Sequence, residues 1–309
     1  MSALILHHYD ASPFSEKLRL VLGWKQQTWR SVAIPVMLPK PDVVALTGGY
    51  RRTPILQIGA DIYCDTALAC RVIDALAPEP PLFSAATAGL GPMIAQWADS
   101  ALFWAAIPYA LQPAGFAQMF SDATPEFVKA LAADRAAMSG GMRRATAVDA
   151  AAQLASYLAW LESLLADGRR FLVGDRPCIA DFSVVHSLWF IRRAPPVAGV
   201  LDPFRQLAAW YARVTAFGHG QPRPLSSGEA IAVAAQTGTH AATQVEPGLG
   251  FEPGAAVTVA ATDYGCDPVA GTLVGLRQNE VVVERRDERA GTVHVHFPRI
   301  GYQIKKVKV

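Results

Sequence analysis

Net charge, cysteine and long apolar runs are all scarce in this chain, and each scarcity excludes something. Lysine and arginine number 28 against 26 acids, a net charge of +2, so there is no broad field to draw in nucleic acid or an anionic membrane. No uninterrupted apolar stretch approaches the roughly 20 residues that a bilayer-spanning helix needs. Cys64, Cys70, Cys178 and Cys266 lie far apart and form no Cys-x-x-Cys pair, and Met1 to Asp10 lacks the basic segment and long apolar run of a secretory signal. Free thiols in a reducing cytoplasm are therefore expected, with no disulfide framework. What remains is an apolar-leaning chain of 309 residues, long enough for two or three domains that each bury a core.

The stretch that organises the rest is Leu4 to Leu22. Leu4, Ile5 and Leu6 make an apolar run too short for a helix, and the Asp10-Ala11-Ser12-Pro13 break ends it, which reads as a buried strand. Ser12 suits a helix cap and Pro13 the first helical position, while Phe14, Leu18, Val21 and Leu22 fall at helical spacing. A strand that runs straight into a capped helix aims backbone N–H groups and the positive end of the helix dipole at one point, which favours an anion there. A thiolate is such an anion. Read alone, Ser12-Pro13 is also an ordinary cap.

Thr28 to Ile34 reads as a second strand, Pro35 to Pro41 as a proline-punctuated loop and Leu46 to Arg52 as a turn-rich segment. Ile55 to Ile58 and Ile62 to Cys64, joined by Gly59-Ala60-Asp61, read as a hairpin. Asp65-Thr66 then caps a helix with Leu68, Val72, Ile73 and Leu76 on one face, and prolines end it at Pro78. At Ser12-Pro13-Phe14-Ser15, Thr53-Pro54 and Asp65-Thr66 this stretch resembles the N-terminal thioredoxin-like domain of glutathione transferases, over most of Leu4 to Leu76.

The resemblance implies functions for these positions. Relatives with thiol-transfer chemistry carry cysteine where Ser12 stands. A serine cannot form a mixed disulfide with glutathione, so Ser12 is expected to donate a hydrogen bond to the glutathione thiolate, with Ser15 and Tyr9 as the other donors to consider. Phe14, Ser15, Arg52, Thr53, Pro54, Asp65 and Thr66 are the implied glutathione-binding residues. By the same resemblance Thr53-Pro54 is expected to be the family's cis-proline turn, Arg52 to pair with a glutathione carboxylate and Asp65-Thr66 to receive the γ-glutamyl end; read alone, Arg52 is also an ordinary loop arginine and Asp65 an ordinary helix cap.

Helices are expected over Pro92 to Leu111, Pro125 to Met138 and Ala145 to Ala166, where alanine is abundant. By the same resemblance Trp97, Asp99 and Trp104 are candidates for the electrophile pocket, although aromatic residues at helical spacing also build cores. Phe171 to Ser183 resembles the family's glycine turn and capping box, with Cys178 where relatives place Ser or Thr and Asp181 at the reciprocal position. Trp210 to Phe217 closes the helical part.

From 219 to 250 the composition turns to Gly, Pro, Ser and Thr, as in a linker, interrupted by an alanine-rich piece at Glu229 to Gln236 that reads as a helix lying on the body. Beyond it, Ala256 to Thr262, Thr272 to Leu276, Val281 to Arg286 and Thr292 to Phe297 are short β-type runs, which read as a small antiparallel barrel loosely like Tudor or KOW modules. Val293, Val295 and Phe297 alternate with Thr292, His294 and His296, so the histidines are expected on a wet face. They would need a third ligand to hold a metal, and none is expected. Lys305, Lys306 and Lys308 read as a lysine-blunted edge strand.

The expected architecture is thus an α/β thioredoxin-like domain (1–80), an all-helical domain (90–218), a linker (219–250) and a small all-β barrel (251–309). The expected activity is conjugation of glutathione, as co-substrate and with no cofactor, to a small hydrophobic electrophile by a cytoplasmic homodimer that binds neither nucleic acid nor membrane. The alternative is a non-catalytic protein that keeps this fold and uses the helical domain or the barrel to recognise a partner.

Overall fold

A computed structural model describes residues 3–143 and 145–307. The first unit runs β1 (Leu4–His8), α1 (Pro13–Trp24), β2 (Thr28–Ala33), α2 (Pro41–Thr47), β3 (Ile55–Ile58), β4 (Asp61–Cys64) and α3 (Thr66–Leu76). The strand β1 pairs in parallel with β2 and antiparallel with β3, and β3 turns back on β4. This is the thioredoxin-like arrangement. The segment read as turn-rich begins inside a short helix, α2, because Pro41 starts it and Gly48, at φ 76°, ends it within two turns.

Helices follow: α4 (Leu90–Trp97), α5 (Phe103–Ala110), α6 (Pro113–Met119), α7 (Pro125–Met138), α8 (Ala147–Leu165), α9 (Ile179–Arg192), α10 (Pro195–Ala198) and α11 (Arg205–Thr215). The single helix expected from Pro92 to Leu111 is two, joined by a π-helical turn at Ala98–Leu102. At the start of α9, Asp181 accepts the Cys178 N–H at 2.9 Å, the Leu172 N–H at 2.9 Å and the Trp210 indole N–H at 2.7 Å, so the expected reciprocal carboxylate also anchors α11.

The last unit comprises β5 (Gln221–Pro224), α12 (Ser227–Gln236), β6 (Ala256–Ala261), β7 (Val269–Leu276), β8 (Glu280–Asp287), β9 (Gly291–Pro298) and β10 (Tyr302–Lys306). Strands β6 to β10 form the additional β module, antiparallel throughout, with the Lys305–Lys306 strand at its outer edge; Lys308 lies outside the described residues. The module is continuous with the first unit. Strand β9 pairs in parallel with β4, and β5 pairs in parallel with β2, giving one ten-stranded sheet in the order β10-β6-β7-β8-β9-β4-β3-β1-β2-β5.

The stretch expected as a linker therefore differs from that reading. It carries an edge strand and a docked helix, and the helix falls where the alanine-rich piece pointed. Its strand, Gln-Pro-Arg-Pro, is exposed at every residue and held by backbone pairing with β2 and one side-chain hydrogen bond, from Thr28 Oγ1 to Gln221 Oε1 at 3.2 Å.

Strand alternation explains why the module sits where it does. Leu4, Leu6, Leu56 and Tyr63 join the core under the helices, whereas Ile5, Ile55, Ile62 and Cys64 point the other way, into a second core with α2, α12 and the module. The module covers the second face of the thioredoxin-like sheet. The same docking buries His294 and His296, expected on a wet face, at 8% and 2% exposure, because β9 is an interior strand with β4 beside it.

Candidate functional site

Ser12 is the N-cap of α1, 2% exposed, and its Oγ accepts the Ser15 N–H at 3.2 Å, which leaves its own hydrogen to donate. Burial pushes the neighbouring Tyr9 phenol above its ordinary pKa, against the pull of Arg135 and of a hydrogen bond with Ser12. The Ser15 Oγ is buried and has no partner among the described residues. Tyr9, Ser12 and Ser15 thus lie at the start of α1, with the Tyr9 and Ser12 hydroxyls in contact.

Facing them is a cation that the sequence did not single out. Lys40 is buried at the end of the proline loop, lies over the Tyr9 ring at 5.8 Å and donates to Thr53 Oγ1 at 3.2 Å. Burial, with Arg135 nearby, lowers its pKa to about 8. No periodicity or motif marks this lysine; only the fold brings it to Tyr9 and Thr53. The Thr53–Pro54 peptide is cis, as the resemblance implies.

Asp65 caps α3 through its Oδ1, which accepts the Ala67 N–H at 2.9 Å, and it holds φ 75°, a conformation few residues other than glycine adopt. Thr66 follows, buried. Asp65 Oδ2 accepts the Tyr302 hydroxyl at 3.1 Å and lies 3.9 Å from Arg52 Nη1, while Tyr302 and Tyr50 share a hydrogen bond of 2.9 Å. Arg52 itself pairs with Asp263 and donates from Nε to the Tyr264 carbonyl at 2.7 Å. Gly265 closes the same loop by donating to the Met138 carbonyl at 2.7 Å. The structure therefore gathers Arg52, Asp65 and residues of the β module, a grouping that the sequence reading missed because Tyr302 lies 237 residues from Asp65.

The three electrophile-pocket candidates go to different places. Asp99 sits in the π-helical turn and is held by Lys17 Nζ at 2.5 Å and His186 Nε2 at 3.0 Å, at the contact between α1 and α9. Burial works against both charges, but each outweighs it for the other: Lys17 is held above its ordinary pKa, and Asp99, with help from His186, below its own. Phe14 packs against Phe103 and His186, with ring centres at 4.7 Å in each case, so it too belongs to this contact between the halves. Trp97 lies edge-on to Tyr157 at 5.2 Å, and Trp104 packs on Phe103 and on Tyr264 of the β module at 5.0 and 5.2 Å.

Comparison with known proteins agrees with this fold. A family model for the glutathione S-transferase N-terminal domain matches residues 6–81, and one for the glutathione S-transferase C-terminal domain matches residues 130–213. No curated protein matches the chain. Among solved structures, a GST-like protein from Pseudomonas syringae is 40% identical with a TM-score of 0.82; the match covers 99% of this chain and 100% of that one, so it runs through the β module as well. A glutathione S-transferase from Rhodospirillum rubrum is 20% identical, TM-score 0.52, over 69% of this chain and 87% of that one. The β-etherase LigF from a Sphingobium species is 16% identical, TM-score 0.51, over 69% and 94%. These last two share the fold alone. The chain belongs to the glutathione S-transferase family.

Proposed function

We propose that the protein is a glutathione transferase that conjugates the glutathione thiolate to a small hydrophobic electrophile. The observation that carries this reading is the buried Ser12 at the N-terminus of α1, beside the partly buried Tyr9, with a hydroxyl hydrogen left to donate at the place where backbone N–H groups favour an anion. Ser12 donates to the sulfur and so favours the thiolate over the thiol. Lys40 adds positive charge, the cis Thr53–Pro54 turn offers its backbone to the tripeptide, and Arg52 with Asp65-Thr66 takes its charged ends. The helical half receives the electrophile, and the working unit is a cytoplasmic homodimer.

The test has two steps. Glutathione binding is measured by calorimetry on the full chain, followed by turnover of a generic aryl halide. The ultraviolet absorbance of bound glutathione is then titrated against pH for wild type and Ser12→Ala, which should raise the pKa of the bound thiol. Superimposable titration curves would withdraw the role of Ser12.

A second reading has its own support. Tyr302 and Asp263 of the β module already engage Asp65 and Arg52, as expected of a protein that keeps the fold without the catalysis. No glutathione uptake by the folded full chain would select that reading.

A further inference from the structure

The seam between β4 and β9 places Asp61 opposite His294 and Tyr63 opposite His296. Asp61 is buried there, and its Oδ2 accepts the Ala241 N–H at 2.8 Å, which draws in the irregular segment after α12 and sets His240 beside it. Asp61 Oδ1 then faces His296 Nε2 at 3.0 Å, His240 Nδ1 at 3.6 Å and His294 Nδ1 at 4.0 Å. The last two nitrogens are buried and have no hydrogen-bond partner among the described residues. Buried polar atoms are rarely left so, and two of them beside one carboxylate point to a shared partner.

We propose that Asp61, His240 and His294 bind a divalent transition-metal ion, zinc foremost, which fastens the β module to the thioredoxin-like sheet. Of the two strand histidines only His294 takes part as a ligand; its companions come from β4, as Asp61, and from the segment following α12, as His240. Oxygen and imidazole donors suit zinc, and the three donor atoms all lie within 4.8 Å of one another. Four-coordinate zinc with bonds of about 2.0–2.1 Å holds its ligand atoms roughly 3.3 Å apart, so each imidazole nitrogen must approach Asp61 by less than about 1 Å. The His240 and His294 rings stack at 3.7 Å and 12°, and they must turn out of parallel to aim at one point. His240 sits outside regular structure, where such a turn costs little.

The surrounding contacts are those of a metal site. Glu284 Oε2 lies 3.4 Å from His294 Nε2, which keeps the proton on that nitrogen and leaves Nδ1 with its lone pair. His296, between Asp61 at 3.0 Å and Glu280 at 3.0 Å, holds the Asp61 carboxylate in place.

The experiment uses tag-free full-length protein carrying Cys266→Ser, which removes the exposed thiol as a competing ligand, stripped with a chelator. Zinc is titrated by calorimetry, and cobalt(II) is substituted to read its visible d–d bands. The expected result is one zinc per chain with a raised melting temperature, intense cobalt bands, and affinity weakened at least tenfold in both His240→Ala and His294→Ala. His240→Ala keeps the test readable should the interior variant fail to fold, because its position is partly exposed and irregular. Absence of saturable one-to-one zinc uptake, or uptake unchanged in folded His240→Ala, would overturn the proposal.

Discussion

A chain ended at Gly218 would retain Ser12, Thr53, Asp65 and every helix of the transferase half, and should nevertheless fail to fold properly. Val32, Ile34, Val43, Leu46, Tyr50, Ile55 and Ile62 are each at most 6% exposed, in a core completed by Ile231, Ala234, Val293, Val295 and Phe297. Fully burying such a side chain is worth about 1.5–3 kcal/mol. If the truncation strips half of that burial from those seven residues, the loss is roughly 5–10 kcal/mol, against a total domain stability of about 5–15 kcal/mol. Polar losses add to this, since the Gln57 amide loses the Ala230 carbonyl and both β2 and β4 lose their outer partners. Expression of residues 1–218 should give aggregated protein, or a species with helical circular dichroism, dye-binding apolar surface and no cooperative urea transition. A monomeric truncated chain that unfolds cooperatively within about 2 kcal/mol of the full-length protein would refute the reasoning, and would make the β module a detachable accessory.

Other outcomes can be stated briefly. Tyr302→Phe removes the hydroxyl from Asp65 and should tighten glutathione binding about 5- to 10-fold, the worth of one hydrogen bond, whereas Asp65→Ala should weaken it by about 1.5–3 kcal/mol; calorimetry showing neither change would remove Asp65 from the site. Burial lowers the His7 pKa from 6.5 to about 4 despite its hydrogen bond to Gln57. The native state then stays neutral while the unfolded chain takes up a proton, so stability is lost as pH falls from about 6.5 to 4, at up to about 1.4 kcal/mol per pH unit. His8, lowered likewise to about 4, adds to the slope. Urea midpoints for His7→Gln should depend less steeply on pH across that window; a slope equal to wild type would exclude His7 as a source of it.

What was legible in the sequence was whatever a short segment decides for itself. Ser12-Pro13 and Asp65-Thr66 announce helix starts through capping, and both caps are made within three residues. The alternation in β9 was equally readable as a strand, but what lies against each face is not written in the strand. A wet face was inferred for His294 and His296 because polar side chains alternated with apolar ones, and β4, 235 residues from His296, turned that face into an interior. The same separation hid Tyr302 on Asp65. Strand β5 was illegible for a different reason, since Gln-Pro-Arg-Pro has no apolar pattern and joins the sheet through its backbone. Lys40 was passed over because a lysine in a proline loop usually lies in solvent, and only tertiary packing buries this one.

The parallel pairing of β4 with β9 also sets a timetable. Ribosomes add about 5–20 residues per second, so the roughly 230 residues between the two strands take on the order of 10–50 s to appear. For that interval β4 has an open edge, and β2 has one until β5 emerges. Unpaired edges recruit other strands, so the nascent chain is at greatest risk from its neighbours on the same message while its helices are being made. The β4 edge closes only when β9 arrives. Slow codons in the helical segment would lengthen the exposure, and a chaperone that shields a strand edge would be needed early in synthesis rather than after release.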